Sequence, residues 1–337
     1  MLTMRARLPL LLSLAAALLA SARPAPAAEP ATVRLESSAF GFTAIVEVRG
    51  LPAAEGERAA EAAFAALAAA EADLGPGGGL ARLTARAGEP VALPPPLLGL
   101  LSKAVDFCVW SEGRIGLLGG ALYDLWGLHR PVRGLPPAAR LEEAAASAAC
   151  DRLQVDAARG EATLTPGSRP ETWGFALGWA VDRAGAALAD SGATNARVEL
   201  GGVLLGIGPG PGGRGWEVAG LRFPGQNEPL ATIFLHDRAL AVVTPEDRPF
   251  VIAGDRYAPY LDLRTGRPGG GVVAVLAASP LALDAQAVAV AMFVAGPRRG
   301  QYMVGPLRPP PAVLWLLGSG QGEPLFESSR WSDLRPR

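Results

Sequence analysis

The sequence predicts an α+β fold in which antiparallel sheets pack against helices. Three observations lead there. Short apolar runs with strand alternation recur along the chain, and Gly and Pro, present as 42 and 31 residues, cluster between them as turn signals. Segments with apolar residues at helical spacing are interspersed without the regular strand–helix alternation of a doubly wound parallel sheet. No repeat period and no long linker divides the chain, so one domain over residues 28–337 is expected.

The elements follow in order. Phe40 to Val48 alternates as a strand, and Pro52 to Asp73 is an Ala- and Glu-rich helix ending in a glycine loop. Three prolines start a second helix over Pro94 to Trp110, with Leu97, Leu98, Leu101 and Val105 along one side. Arg114 to Gly127 is a glycine-broken apolar stretch. Leu135 to Ala149 reads as a third helix, and Arg152 to Leu164 as a hairpin turning at Ala157 to Gly160. Val203 to Ile207, the loop GPGPGGRG and Trp216 to Val218 read as a further hairpin. Strands are expected at Ala231 to Leu235, Ala239 to Val243, Tyr257 to Asp262, Gly271 to Ala277 and Ala312 to Leu317, with a small-residue helix at Asp284 to Val294.

The most informative stretch runs from Trp173 to Gly202. Leu177, Val181, Ala184 and Leu188 form an apolar stripe, Gly192 stops the helix, and Ala196 to Leu200 alternates as a strand. That strand ends at Gly201 and Gly202, where a backbone without side chains permits close approach of a ligand. The stripe makes Leu177 a buried core residue by expectation.

Composition narrows the function classes. With 31 Lys and Arg against 32 Asp and Glu, the chain carries no basic field for nucleic acid or anionic lipid. Arg5 and Arg7, an apolar run from Leu8 to Ala20 and the small-residue stretch to Ala27 have the form of a signal peptide over residues 1–27, which implies an exported, periplasmic protein. The run is too short to span a membrane, so no transmembrane segment is expected after cleavage. Cys108 and Cys150 match no metal motif; two separate buried thiols are expected, with pairing in an oxidising compartment as the alternative. The two histidines, His129 and His236, belong to no HExxH pair, and no G-x-S-x-G elbow is present. The loop GPGPGGRG lacks the Lys and Ser/Thr of a phosphate-binding loop and opens no helix, so it reads as a turn.

Five segments in order, WGFALGWAVDRAG with NARVELGG, VVTPEDRPF, YAPYLDLRTGRP and ASPLALDAQAVAVAMFVAG, resemble the bacterial FAD:protein FMN transferases of the ApbE family. FGFTAIVEV, GGGLARLT and LYDLWG fit the N-terminal half of the same pattern. The resemblance implies an ApbE-like alpha-beta roll that binds FAD and, with Mg2+, transfers FMN to a Thr or Ser of an acceptor protein in an exported redox system. It implies catalytic roles for Asp284 and Asp262, and cofactor contacts at Gly178, Asp182, Glu199, Gly201, Gly202, Thr244, Thr265 and Gly266. The metal would rest on Asp284 and the backbone carbonyl near Ala176. Ser191 to Thr194 resembles the end of an acceptor motif but reads as a helix stop and turn.

The chain departs from that pattern at five places. Leu177 stands for the Lys of A-K-G, Val288 for a Thr, Pro259 for a His, Pro245 and Glu246 for the Ser-Gly of T-S-G, and Ile115 to Leu118 for an F-D-P-T turn. The departures imply a closed phosphate pocket at Leu177 and a weakened metal site, because Val288 offers no hydroxyl. The alternative they raise is a catalytically degenerate relative that binds flavin or a protein partner.

Overall fold

Eight strands form one antiparallel sheet among the described residues, and their order across the sheet is their order in the chain. They are β1 (Thr32–Ala39), β2 (Phe42–Arg49), β3 (Ala196–Leu200), β4 (Val203–Ile207), β5 (Arg238–Val243), β6 (Ala274–Ser279), β7 (Ala312–Leu317) and β8 (Leu325–Ser329). The computed structural model describes residues 31–218, 232–318 and 325–334; the expected signal peptide lies outside them. Six helices are inserted between β2 and β3, which nevertheless pair directly, Val46 opposite Val198. These are α1 (Ala53–Leu74), α2 (Gly79–Ala85), α3 (Pro95–Trp110), α4 (Gly120–Trp126), α5 (Ala138–Ala146) and α6 (Ala176–Asp190). A seventh, α7 (Ala282–Val304), joins β6 to β7.

Strand alternation sends side chains to two cores. In β5, Ala239, Ala241 and Val243 join the large core with α1, α6 and α7, while Leu240 joins a smaller one on the opposite face. In β6, Val275 and Ala277 point one way, Ala274, Leu276 and Ala278 the other. Burial on both faces is why these strands are almost wholly apolar. The helical layer packs closely because its facing residues are small: Gly56, Ala59, Ala60 and Ala63 in α1, and Ala180, Ala184 and Gly185 in α6, are buried. A Cβ on Gly185 would stand 2.5 Å from Leu205 Cδ2, so this contact with β4 needs a glycine.

Several expectations are corrected. Val203–Ile207 does not form a hairpin with Trp216–Val218. It is paired on both sides, with β3 and β5, so no edge is free, and Trp216–Val218 pairs with Ile233–Leu235 to cover the outer face of the sheet. The strand predicted over Tyr257 to Asp262 divides into Asp255–Tyr257, paired with Phe250–Ile252, and Leu261–Asp262, paired with Arg267–Pro268. The helix predicted to end at Val294 continues through a break at Gly296. Ala231, in the predicted strand to Leu235, lies outside the described residues.

Cys108 and Cys150 are not separate thiols. They form a disulfide across a sequence separation of 42, joining α3 to the short turn at Cys150–Arg152. Spacing alone could not show this, because the two segments meet only once the chain between them has folded back.

Candidate functional site

A cavity of about 500 Å3 opens between the start of α6, the β1–β2 and β3–β4 turns, and the loop after β5. Each wall has a local cause. Phe40 and Gly41, with φ of 54° and 76°, make the two-residue turn between β1 and β2, so Phe40 sits in the tightest bend of that hairpin and Phe42 directly follows it. Gly201 and Gly202, with φ of 54° and 84°, turn β3 into β4. A Cβ on Gly201 would lie 2.8 Å from Leu177 Cδ1 and 3.0 Å from Phe42 Cγ, so the glycine lets three elements meet here.

The cavity is aromatic with a cationic rim. Trp173 and Tyr260 bring their rings to 6.1 Å. Arg248, exposed, sets its guanidinium 5.4 Å from the Phe42 centroid and 5.6 Å from that of Trp173. No described carboxylate pairs with it, leaving its planar donor fork for an anion. The loop carrying Arg248 is held by Asp247, which accepts hydrogen bonds from Thr244 N at 2.8 Å, Thr244 Oγ1 at 2.6 Å and Tyr260 OH at 2.6 Å. Burial, reinforced by the Asp247 charge, keeps the Tyr260 phenol protonated well above its usual range.

Glu171, Trp173 and Arg248 also line a second, open cavity of about 590 Å3, so the two spaces share a wall. Burial raises the Glu171 carboxyl, and His129, 3.1 Å away, opposes that rise. A long ligand with an anionic middle matches this arrangement: flat aromatic surfaces in the first cavity, a guanidinium at the junction, further space beyond.

The expected site residues divide. Gly201, Gly202 and Ala176 line the first cavity, and Thr244 stands behind Asp247. Gly178 is a packing glycine: a Cβ there would meet Ala282 O at 2.4 Å, and its N–H donates to Gln286 Oε1 at 2.7 Å. Asp182 accepts the backbone N–H groups of Ala282 and Leu283 at 2.7 and 2.9 Å and so caps α7; burial pushes its carboxyl up to about 6. Glu199 is half-buried in β3 opposite Ile45 and Leu204. Asp262, Thr265 and Gly266 close a turn in which the Asp262 carbonyl accepts from Thr265 N and Gly266 N, and Trp126 Nε1 donates to Gly266 O.

Two expectations fail at this site. Leu177 does not continue the buried stripe; it is half-buried and faces the cavity, which is open. The buried stripe runs through Val181, Ala184 and Leu188, whereas Leu177, in the first turn of α6, meets the β3–β4 turn at Gly201. Magnesium does not fit the residues named for it. Asp284 has both carboxylate oxygens on Lys103 Nζ, it lines a different cavity from Ala176, and Val288 beside it is buried and apolar. Among the described residues no group of three or more His, Cys, Asp or Glu side chains is placed to hold a metal ion.

Comparison with known proteins identifies the architecture. The family model described as the ApbE family matches residues 40–314. The chain belongs to the ApbE family. This ApbE-family chain is 29% identical over 180 residues to the FAD:protein FMN transferase of Chlamydia trachomatis, a match covering 53% of the chain and 55% of that protein. The chain thus spans about half the length of the first curated relatives it matches. A relative of the same name from Vibrio cholerae is 26% identical over 250 residues, 72% of each protein. The fold is that of the ApbE protein of Thermotoga maritima, with a TM-score of 0.80 and 24% identity over 91% of this chain and 100% of that one. The flavin transferase ApbE of Vibrio cholerae gives a TM-score of 0.79 at 22% identity, covering 90% of this chain and 99% of that one.

Sequence reasoning missed Phe40, Phe42, Trp173, Asp247, Arg248 and Tyr260. Aromatic residues are only 6% of the chain, so FGF beside a turn and the YAPY segment were available signals. Nothing in the sequence showed that they converge.

Proposed function

We propose that this chain binds FAD with its isoalloxazine in the aromatic cavity, and that it transfers the FMN half to a Ser or Thr hydroxyl of an acceptor protein. The observation that carries the proposal is the cavity of about 500 Å3 walled by Phe42, Trp173 and Tyr260, with the guanidinium of Arg248, which pairs with no carboxylate among the described residues, at its rim. The relatives named FAD:protein FMN transferase supply the reaction class.

In that reaction the acceptor hydroxyl oxygen attacks the flavin-side phosphorus. The bond to the bridging oxygen breaks, AMP leaves with that oxygen, and the hydroxyl proton is released. This chain's residues contribute binding and orientation: aromatic faces exclude water around the ring system, and Arg248 neutralises diphosphate charge. The Asp247 carboxylate fixes the loop that positions Arg248. Export to the periplasm, from the N-terminal pattern, and a flavin acceptor of an exported redox system belong to the same proposal.

A second reading, FAD binding without transfer, is favoured by the engagement of Asp284 with Lys103. One experiment separates the two. Purified protein is incubated with FAD and a flavin-accepting domain, with and without Mg2+, and AMP and covalent flavin are measured. Stoichiometric AMP and labelled acceptor establish transfer; saturable FAD binding without AMP establishes the second reading; no flavin binding overturns both.

A further inference from the structure

Lys103 is the only lysine of the 337 residues; all other members of the Lys and Arg total of 31 are arginines. Its position is specific. Nζ donates to Asp284 Oδ1 at 2.9 Å and Oδ2 at 3.1 Å, and stands 5.9 Å from the Phe107 ring centroid. The pair lies in a cavity of about 160 Å3 that Ser279, Val288 and Arg308 also line.

The charge balance explains the pairing. Asp182 of α6 and Asp284 both bring carboxylates to the start of α7, where like charges repel, and the Lys103 ammonium supplies the opposite charge. Asp182 is spent on the Ala282 and Leu283 N–H groups, so Asp284 is the carboxylate left to a cation. A divalent ion prefers several hard oxygens in near-octahedral array. Here it would have to displace an ammonium from both oxygens of Asp284, beside the buried methyls of Val288 and the second cation Arg308. Asp106 lines the same cavity but is exposed. An ammonium is compact and carries its donors on one atom, so Lys103 places its charge on both oxygens of Asp284 from a single point.

We infer that Lys103 is a resident cation for Asp284, taking the place of a divalent metal, so that positive charge at the start of α7 is supplied by α3. The inference concerns cation binding by the protein alone and stands or falls separately from the flavin reading.

Mn2+ titration followed by electron paramagnetic resonance tests it, with no flavin present. The wild-type protein is expected to show no saturable Asp284-dependent Mn2+ site into the millimolar range. Lys103→Ala is expected to gain one such site, with binding about tenfold tighter or more, and Lys103→Ala with Asp284→Asn to lose it. Lys103→Arg, which keeps a charge, should remain without the ion. With native circular dichroism spectra as the folding control, one Mn2+ bound by the wild type and abolished by Asp284→Asn overturns the inference. Failure of folded Lys103→Ala to gain the site overturns it equally.

Discussion

The phenol of Tyr260 donates a 2.6 Å hydrogen bond to the carboxylate of Asp247, tying the segment before Leu261 to the loop that carries Arg248. Tyr260 is buried and its ring also packs 5.3 Å from Phe293 of α7, so the bond connects the cavity rim to the helical core. Removing the hydroxyl in Tyr260→Phe leaves Asp247 with its two Thr244 bonds, at a cost of about 0.5–1.5 kcal/mol. Asp247→Ala removes all three bonds and should cost more, about 2–3 kcal/mol, while loosening Arg248. Urea denaturation measures the stabilities, and flavin fluorescence quenching measures the binding. Equal stability of the two variants would contradict this ordering.

Arg248 should distinguish ligands by phosphate. If its guanidinium meets the diphosphate of FAD, Arg248→Ala weakens FAD binding by about 10–100-fold, the range for a hydrogen bond to a charged group, and leaves riboflavin within a few-fold. Arg248→Lys should recover only part of the loss, because an ammonium cannot lie flat between Phe42 and Trp173. Titrations of both ligands against each variant check this; equal losses for riboflavin and FAD would assign Arg248 to ring stacking.

Asp182 gives the fold a pH dependence of defined sign. Burial raises its folded pKa to about 6, above the ordinary value of 3.8. A raised acid holds its proton more tightly when folded, so its contribution to stability is full below the unfolded pKa and is lost as pH rises through about 6. The shift corresponds to roughly 3 kcal/mol as an upper bound. Asp182→Asn should flatten the decline of unfolding free energy between about pH 4 and pH 6. Chemical denaturation across that range measures it, and parallel slopes for the two proteins would contradict the assignment.

The disulfide should carry a large share of local stability. Closing a loop of 42 residues between Cys108 and Cys150 constrains the unfolded chain by about 4 kcal/mol in the chain-entropy model. Cys108→Ala with Cys150→Ala, or reduction of the wild type, is expected to lower unfolding free energy by about 2–4 kcal/mol. The reduced and oxidised wild type compared in guanidinium give the value directly, and thiol titration of the unreduced protein should find no free sulfhydryl.

By itself the sequence determined the fold class, most elements and the family. Those are written in local pattern: strand alternation at Ala196 to Leu200, the helical stripe at Val181, Ala184 and Leu188, and glycines at Gly201 and Gly202 whose positive φ angles a turn requires. The tertiary structure alone decided how side chains distant in sequence meet. Leu177 looked like one more core position because periodicity reports the face of a helix and not what that face meets, which at Leu177 is the cavity. Asp284 was named as a metal ligand through the family resemblance, while the cation beside it is Lys103, which no spacing rule connects to it. Cys108 and Cys150 were undecided for the same reason. Pairing of distant groups depends on the path of the whole chain, and local sequence carries the elements of that path without their meeting points.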